Sequence, residues 1–269
     1  MTYPPLGDML AALRESTPLV HCMTNYVAMN STANLLLATG ASPAMLHAAE
    51  EVAEFTTMAD ALSINIGTLS APWAESMQLA ARTADTTDTP WVLDPVAVGA
   101  TEFRQRVCQA LLSHRPSVIR ANASEVMALA GLASQGRGVD ATATTDDATH
   151  AAMTLAQRQR CIVAMTGETD VITDGIHHVR LTGGHPLMPR VTTLGCGLSA
   201  LVAGFVAANR EHPLAATLAA LACFGIAGHR AGQQAKGPGS FQVAFLDALY
   251  QLTPEDLSSQ SQVETLHAV

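Results

Sequence analysis

The sequence is poor in aromatic residues and in positive charge. Aromatic residues make up 4% of its 269 residues, and the formal net charge at pH 7 is −9. A nucleic-acid-binding surface or a basic membrane-binding helix needs runs of Lys and Arg, and none occurs here. Apolar residues still reach 48%, mostly Ala, Leu and Val, so the chain can bury a substantial core. Small apolar side chains suit helices packed on a sheet, which favours an α/β protein over a β-sandwich.

Sequence patterns for disulfides, zinc sites and secretion are also absent. The five cysteines are an odd number, widely spaced and without a C-x-x-C pair, and the ten histidines show no metal-ligand spacing. The first residues lack the basic and apolar regions of a signal peptide. The apolar stretches 198–208 and 214–228 are each shorter than the ~20 residues that a membrane span needs. We therefore expect a cytoplasmic protein that binds neither nucleic acid nor a membrane.

Short apolar runs alternate along the chain with longer segments of helical periodicity. This order predicts right-handed β–α–β units and a largely parallel sheet. After residue 192 the pattern is helical to the end, and an Asp174-Gly175 turn predicts a hairpin at the sheet edge. We expect one domain over 1–269, with a mobile surface loop at 133–150 and a frayed tail at 258–269. The predicted strands are 19–21, 44–46, 62–66, 91–93, 118–120, 161–165 and 170–173, and the predicted helices before residue 192 are 27–38, 48–58, 73–84, 103–113, 124–130 and 147–158.

Ligands bind beyond the carboxyl ends of the strands in an open α/β sheet, so the residues that follow each predicted strand are candidates for a site. Met45, at one such strand end, either belongs to the core or faces an apolar ligand. Polar side chains and glycines gather at the other strand ends. They are Asn25, His47, Gly67, Asp94, Asn122, Glu125 and Thr166.

The segment TTLGCGLS, residues 192–199, precedes a long apolar stretch and is the sharpest local feature. Its threonines can cap a helix, its glycines let the backbone approach a ligand, and the free N–H groups of a helix start attract anions. No G-x-x-x-x-G-K-[ST] phosphate loop occurs in the chain. An ordinary capped core helix with a buried cysteine explains this segment equally well, so both interpretations stay open on local grounds.

Charged residues near the predicted fifth strand allow two interpretations. Asn122-x-x-Glu125 is by itself a capping box, and that is the better local explanation. Alternatively the Glu125 carboxylate lies near Mg²⁺ with Asp94 as a second acidic group, because Mg²⁺ prefers hard oxygen ligands beside phosphates. Arg120 could hold phosphate oxygens bidentately or pair with a carboxylate, and Asp94 before Pro95 could simply end its strand.

Seven blocks of the sequence together carry a resemblance that no single motif carries. They are VHCMTNYVAMNSTANLLLATGASPAM from residue 20, LSINIGTL from 62, WVLDPVAVGAT from 91, VIRANASEVMALAG from 118, MTGETDVITDG from 165, TTLGCGLSALVAG from 192 and GPGSFQVAFLDAL from 237. In this order, over nearly the whole chain, they resemble the hydroxyethylthiazole kinases, thiamine-salvage enzymes of the ribokinase-like superfamily.

The resemblance implies a single-domain ribokinase-like α/β fold, with a central, mostly parallel sheet flanked by helices and no lid. It implies a homotrimer whose active sites lie at subunit interfaces. The implied reaction moves the γ-phosphoryl group of ATP, with Mg²⁺, to the hydroxyl of 4-methyl-5-(2-hydroxyethyl)thiazole.

Roles for individual residues also follow from the resemblance. The Cys196 thiol would occupy the place of the aspartate base of most ribokinase-like enzymes. We expect its position at a helix start to lower its pKa, so that it accepts or orients the substrate hydroxyl. The implied thiazole-binding residues are Asn25, Met45, Gly67 and Thr193, the ATP-binding residues are Arg120, Asn122, Thr166, Gly195 and Gly197, and the residues near Mg²⁺ are Asp94 and Glu125.

Thr193 departs from the family pattern. The family usually has Thr-Gly-x-Gly-Cys where this chain has residues 192–196, so Thr193 replaces a glycine whose backbone lies against the ligand. A β-branched residue restricts the backbone there, which can reduce activity or shift the substrate preference, but we expect the site to work because Gly195, Cys196 and the helix behind them are intact. Two rival functions remain at this stage, a repair dehydratase acting on hydrated nicotinamide cofactor and a thiazole sensor without catalysis.

Overall fold

The fold is built on one sheet flanked by helices. The computed structural model describes residues 3–132 and 145–266. The strands are β1 Leu19–Met23, β2 Ser42–Ala44, β3 Ala61–Asn65, β4 Trp91–Asp94, β5 Val118–Asn122, β6 Ile162–Thr166, β7 Thr169–Thr173, β8 His178–Thr182 and β9 Gln262–Leu266. The α-helices are α1 Leu6–Ser16, α2 Met29–Thr39, α3 Val52–Met58, α4 Ala71–Thr87, α5 Glu102–Leu112, α6 Ala123–Ala130, α7 Thr145–Gln159, α8 Leu194–Ala208, α9 Pro213–Gln234, α10 Pro238–Gln251 and α11 Pro254–Gln260.

The described strands form one sheet in the order β2-β1-β3-β4-β5-β6-β7-β8-β9. The pairs from β2 to β6 are parallel, and the pairs from β6 to β9 are antiparallel. This confirms the predicted α/β class with a mostly parallel sheet. It also places the carboxyl ends of β1, β3, β4, β5 and β6 along a single edge, where a ligand site is expected.

Two apolar cores cover the two faces of the sheet. Neighbouring strand residues point to opposite faces, as with Val118 in one core and Ile119 in the other. Helices α1, α2 and α8–α11 pack on one face, and α3–α7 contribute to the core on the other. Helix α8 crosses β1, β3 and β4, so its first turn lies against the edge that holds the site.

The end of the chain differs from the prediction. Residues after 192 were expected to be helical and the tail from 258 to fray, but α11 reaches Gln260 and β9 follows it. Strand β9 pairs antiparallel with β8, with Val263 opposite Leu181. The predicted β7–β8 hairpin is confirmed, although β9 and not the hairpin occupies the sheet edge. A short polar segment becomes a strand here because a partner strand satisfies its backbone, which its own pattern does not show.

Two further predictions need correction. The loop predicted at 133–150 lies outside the described residues up to 144, and residues 145–150 begin α7. Helix α9 has 22 residues, so the argument that its apolar stretch is too short for a membrane was wrong. It is the single helix in the described part of the chain that is long and apolar enough to span one, and 83% of its most apolar window is buried inside the fold. A core helix explains that burial.

Candidate active site

A buried carboxylate organises the sheet edge. Asp94, the last residue of β4, is 1% exposed. Its Oδ2 accepts hydrogen bonds from Asn65 Nδ2 at 2.6 Å and from Ser199 Oγ at 2.8 Å, and Arg120 Nη1 lies 3.8 Å away. Burial raises the pKa of Asp94 to about 6, although Arg120 and the hydrogen bonds from Ser199 and Asn65 act against it. Strands β3, β4 and β5 and helix α8 therefore meet at this one group.

Arg120 joins the sheet to the start of α8. Its side chain is 13% exposed, and its Nη2 donates to Thr166 Oγ1 at 2.6 Å. A Cβ atom added at Gly195 would lie 2.9 Å from Arg120 Nη1. A side chain at position 195 would therefore displace the guanidinium, which glycine leaves in place. Arg120 Nε is buried and has no hydrogen-bond partner, so the guanidinium keeps donor capacity for an anion.

Cys196 lies at the start of α8 and is only partly buried, whereas the other four cysteines are buried. Asn25 Nδ2 donates to its Sγ at 3.2 Å. The expectation of a lowered thiol pKa was wrong. Burial raises the pKa of Cys196 and the Asp94 charge adds to it, while hydrogen bonds from Asn25 and Asn65 and the charge of Arg120 oppose the rise. Desolvation disfavours the thiolate more than the helix start favours it.

The first turn of α8 offers free backbone donors. The helix begins at Leu194, so the N–H groups of Leu194, Gly195 and Cys196 have no acceptor within the helix. The N–H of Gly197 is already used, because it donates to Thr193 O at 2.9 Å. Of the two glycines predicted to contact ATP, Gly195 therefore has an N–H group without an acceptor within the helix, whereas Gly197 does not.

Gly197 serves packing instead. It is buried, and a Cβ atom there would lie only 2.1 Å from Leu35 Cδ1 on α2. The predicted ATP contact of Gly197 is not what the geometry favours. The glycine lets α2 and α8 approach each other closely next to the site.

Thr193 adopts the backbone conformation that favours glycine. Its φ is 72° and its ψ is −6°, in the left-handed region, which costs a side-chain-bearing residue about 1–2 kcal/mol. Its Oγ1 lies 2.6 Å from Ser31 Oγ and donates to Thr192 O at 2.5 Å. The departure from the family pattern therefore falls at a strained position, where the hydroxyl gains hydrogen bonds that a glycine would lack.

Asn122 and Glu125 form the capping box that local reasoning favoured. Asn122 Oδ1 accepts from the N–H of Glu125 at 3.0 Å, and Glu125 Oε2 accepts from the N–H of Asn122 at 2.9 Å. Glu125 Oε1 accepts from the N–H of Ala97 at 2.9 Å. Both carboxylate oxygens thus hold loops in place at the start of α6, and each retains one lone pair.

The residues fit a Mg²⁺ ion that takes most of its ligands from water and phosphate. No cluster of three or more His, Cys, Asp or Glu able to hold a metal occurs among the described residues. However, Asp94 Oδ1 is buried and has no hydrogen-bond partner, so it has a free acceptor of the type that Mg²⁺ prefers. Mg²⁺ commonly uses one or two carboxylates besides substrate phosphates and waters, and Asp94 and Glu125 can supply them.

A cleft of about 1160 Å³ opens beside Arg120. Thr166, Thr193 and Gly195 line it together with Arg120, and the residues before α8 and one face of α9 line the rest. Its volume exceeds that of most small-ligand pockets and is sufficient for a nucleotide. Asp170 also lines it, and burial raises the pKa of that carboxyl to about 6.

Three of the four predicted thiazole residues, Asn25, Met45 and Gly67, lie outside the large cleft, whereas the fourth, Thr193, lines it. Asn25 hydrogen-bonds to Cys196, and a Cβ atom at Gly67 would lie 2.7 Å from Asn25 Nδ2, so glycine allows this close approach. Met45 packs against the core that contains α8. None of the three lines the large cleft, so they form a second face of the site.

Three residues of the site were not predicted. Asn65 and Ser199 bond directly to Asp94, and Arg104 of α5 ties two loops together by donating to the carbonyls of Ile66, Gly67 and Val96. A polar residue inside an apolar run next to a strand end, as in ALSINIG, is a signal that could have identified Asn65. For Arg104 the sequence offers no such signal.

Comparison with known proteins gives consistent matches. A family model described as the Hydroxyethylthiazole kinase family matches residues 10–255. A hydroxyethylthiazole kinase of Rhizobium rhizogenes is 54% identical over 260 residues, 97% of each chain. The structure of a hydroxyethylthiazole kinase from Pyrococcus horikoshii OT3 superposes with a TM-score of 0.90 at 41% identity, covering 97% of this chain and 99% of that one.

A more distant match concerns the fold alone. An ADP complex of Bacillus subtilis pyridoxal kinase has a TM-score of 0.60 at 17% identity, and covers 78% of this chain and 91% of that one. Together with the sheet order, this likeness confirms the predicted ribokinase-like fold.

The left-handed backbone at Thr193 predicts a difference between two substitutions. Thr193→Gly and Thr193→Ala both lose the hydrogen bonds of the hydroxyl, but only glycine removes the cost of the positive φ. We expect Thr193→Ala to be less stable than Thr193→Gly by about 1–2 kcal/mol, measured by urea unfolding. Equal stability of the two variants would show that the residue is not left-handed.

The contact between Gly197 and Leu35 predicts that Gly197→Ala destabilises the protein when Leu35 is present and stabilises it when Leu35 is replaced by alanine. Gly197→Ala should lower the free energy of unfolding by about 1–2 kcal/mol, because Leu35 must move in a packed core. In a Leu35→Ala background the same substitution should stabilise by up to about 1 kcal/mol, through helix propensity alone. Urea unfolding of the four proteins measures this cycle, and the same cost in both backgrounds contradicts it.

Proposed function

The chain belongs to the hydroxyethylthiazole kinase family, and we propose how its strand-end site performs the reaction of that family. The enzyme phosphorylates the hydroxyl of 4-methyl-5-(2-hydroxyethyl)thiazole in thiamine salvage, with ATP as co-substrate. The observation that carries the proposal is the convergence of Arg120, the free N–H groups of α8 and Cys196 at one point.

The transferring phosphoryl group lies at the start of α8. Phosphoryl transfer passes through a loose transition state, so positioning and neutralisation of charge supply most of the catalysis. The N–H groups of Leu194, Gly195 and Cys196 and the positive end of the helix dipole face this position. Arg120 lies against Gly195 and adds a fixed positive charge, and Thr166 orients its guanidinium through a hydrogen bond.

ATP occupies the large cleft, with its phosphates towards Arg120 and Thr193. Asn122 contributes indirectly, because its cap holds Glu125 beside the phosphate end. Asp94 and Glu125 would hold Mg²⁺, which would supply neutralisation of phosphate charge. Asp94 is well suited, since Asn65, Ser199 and Arg120 keep it in place without using its second oxygen.

Cys196 lies between the phosphoryl site and the thiazole side. Asn25, Met45 and Gly67 line the thiazole there, with the substrate hydroxyl directed at the Cys196 thiol. Because the pKa of the thiol is raised, Cys196 is mainly the neutral thiol, and in that form its sulfur orients the substrate hydroxyl while the hydroxyl proton passes to an oxygen of the transferred phosphoryl group. Only the thiolate form can take the hydroxyl proton itself, and it becomes the thiol when it does so.

A homotrimer completes the thiazole pocket. The large cleft contains none of the three thiazole residues, and two apolar side chains next to Asn25 are solvent-exposed in the single chain, Tyr26 by 66% and Val27 by 62%. Both observations support a second subunit over this face. Free cysteines throughout and the burial of α9 support a cytoplasmic location.

The decisive experiment is an ATP-coupled assay with and without the thiazole alcohol. We expect ADP formation only when the alcohol is present, and the alcohol to be recovered as its phosphate. The matched control is 4,5-dimethylthiazole, which has the ring but no hydroxyl and should give no turnover. ADP formation without the alcohol, or binding of the alcohol without turnover as in a sensor, would refute the proposal.

The role of Cys196 is tested by Cys196→Ser at saturating substrates. We expect kcat to fall by about 10²-fold, the lower end for loss of a positioned acid–base group, with little change in KM for ATP. Cys161→Ser is the control, since Cys161 lies before β6, at the opposite end of that strand from Thr166. Full kcat in Cys196→Ser means that the thiol is not the base.

A further inference from the structure

We propose that Asn65 is a positioning residue, which fixes the side-chain amide of Asn25 so that it donates a hydrogen bond to Cys196 Sγ. This role of Asn65 matters for catalysis only if Cys196 has the role proposed above, on which the inference rests. Asn65 is the last residue of β3 and is 1% exposed. Asn65 does not line the large cleft, and we place no substrate against it.

The side chain of Asn65 has only one possible orientation. Its Nδ2 lies 2.6 Å from Asp94 Oδ2, and an ionised carboxylate can only accept, so the amide nitrogen must face Asp94. On its other side Oδ1 accepts from the N–H of Gly67 at 2.9 Å. A flipped amide would place two oxygens together at Asp94 and two N–H groups together at Gly67.

Asn65 and the backbone after Asn25 together fix the Asn25 amide. Asn65 Oδ1 also accepts from Asn25 Nδ2 at 2.9 Å, so the nitrogen of Asn25 must face it. Asn25 Oδ1 accepts from the N–H groups of Val27 and Ala28, both at 3.1 Å. These contacts use one N–H of the Asn25 amide and leave the second N–H to donate to Cys196 Sγ, which lies 3.2 Å from Asn25 Nδ2.

A chain of directed hydrogen bonds therefore runs from Asp94 through Asn65 and Asn25 to Cys196, in addition to the direct effect of Asn65 on the thiol. The sulfur accepts from Asn25, so its own S–H and remaining lone pair can face the substrate hydroxyl. A hydrogen bond donated to sulfur favours the thiolate over the thiol. Without Asn65, one N–H of the Asn25 amide loses its acceptor and only the N–H groups of Val27 and Ala28 still hold the amide, so the second N–H is less firmly directed at the sulfur.

The test compares Asn65→Ser with Ser63→Ala by alkylation of the free enzyme with iodoacetamide at pH 8. The hydroxyl of Ser at position 65 is too short to reach Asn25, although it keeps a polar group near Asp94. Ser63 lies two residues earlier on the same face of β3, which makes Ser63→Ala the control for disturbance of the strand. Peptide mass spectrometry follows each of the five cysteines separately.

We expect alkylation of Cys196 to slow about fivefold in Asn65→Ser and to stay within twofold in Ser63→Ala. The four buried cysteines should remain unreactive in both, which distinguishes a specific effect from general loosening of the fold. An unchanged Cys196 rate, or slowing accompanied by reaction of the buried cysteines, would overturn the proposal. The assay uses neither ATP nor thiazole, so its outcome is independent of whether the kinase proposal holds.

A second measurement needs no substitution at Asn65 and so does not depend on that variant folding. In ¹⁵N-labelled enzyme, Cys196→Ala should shift the side-chain amide resonances of Asn25 and, more weakly, of Asn65. The amide of Asn122, which caps α6 outside this chain of hydrogen bonds, should not move. An Asn25 resonance unaffected by the loss of the sulfur would also overturn the proposal.

Discussion

The burial of the Asp94 carboxylate is the constraint on which the rest of the site depends. A buried charge is tolerated only when hydrogen-bond donors surround it. Here the donors are Asn65 of β3, Ser199 of α8 and Arg120 of β5. Each of these donors also has a second role. Asn65 orients the Asn25 amide, Ser199 holds α8 in position, and Arg120 binds phosphate. Loss of one donor would therefore disturb several functions together.

Helix α8 links that constraint to the fold. Most of its residues are buried, and it crosses three central strands while packing against α2 and α9. An apolar helix held this firmly cannot adjust its first turn to a ligand. The free N–H groups are thus fixed in advance, which is the condition under which backbone dipoles stabilise a transition state without reorganisation.

The sequence predicted the fold well because the fold depends on periodicity. The predicted strand at 118–120 lies within β5, whereas the short, partly buried β2 was misplaced by two residues and helix α1 was missed. Strand β9 could not be found, since its pairing with β8 decides its structure. In the site, residue types at strand ends pointed to Asp94 and Arg120, and the family resemblance pointed to Cys196. Their energetics escaped prediction, because the raised pKa of Cys196 and the packing role of Gly197 depend on neighbours distant in sequence.

Helix α9 also has a consequence for synthesis of the chain. A 22-residue apolar segment that leaves the ribosome uncovered is a possible substrate for membrane insertion or aggregation. Its packing partners α1 and α8 precede it in the chain, so part of its cover is already made when it emerges, and α10, which follows at once, completes it. The order of the elements thus protects this helix during translation, and a circular permutation that placed α9 first would remove that protection.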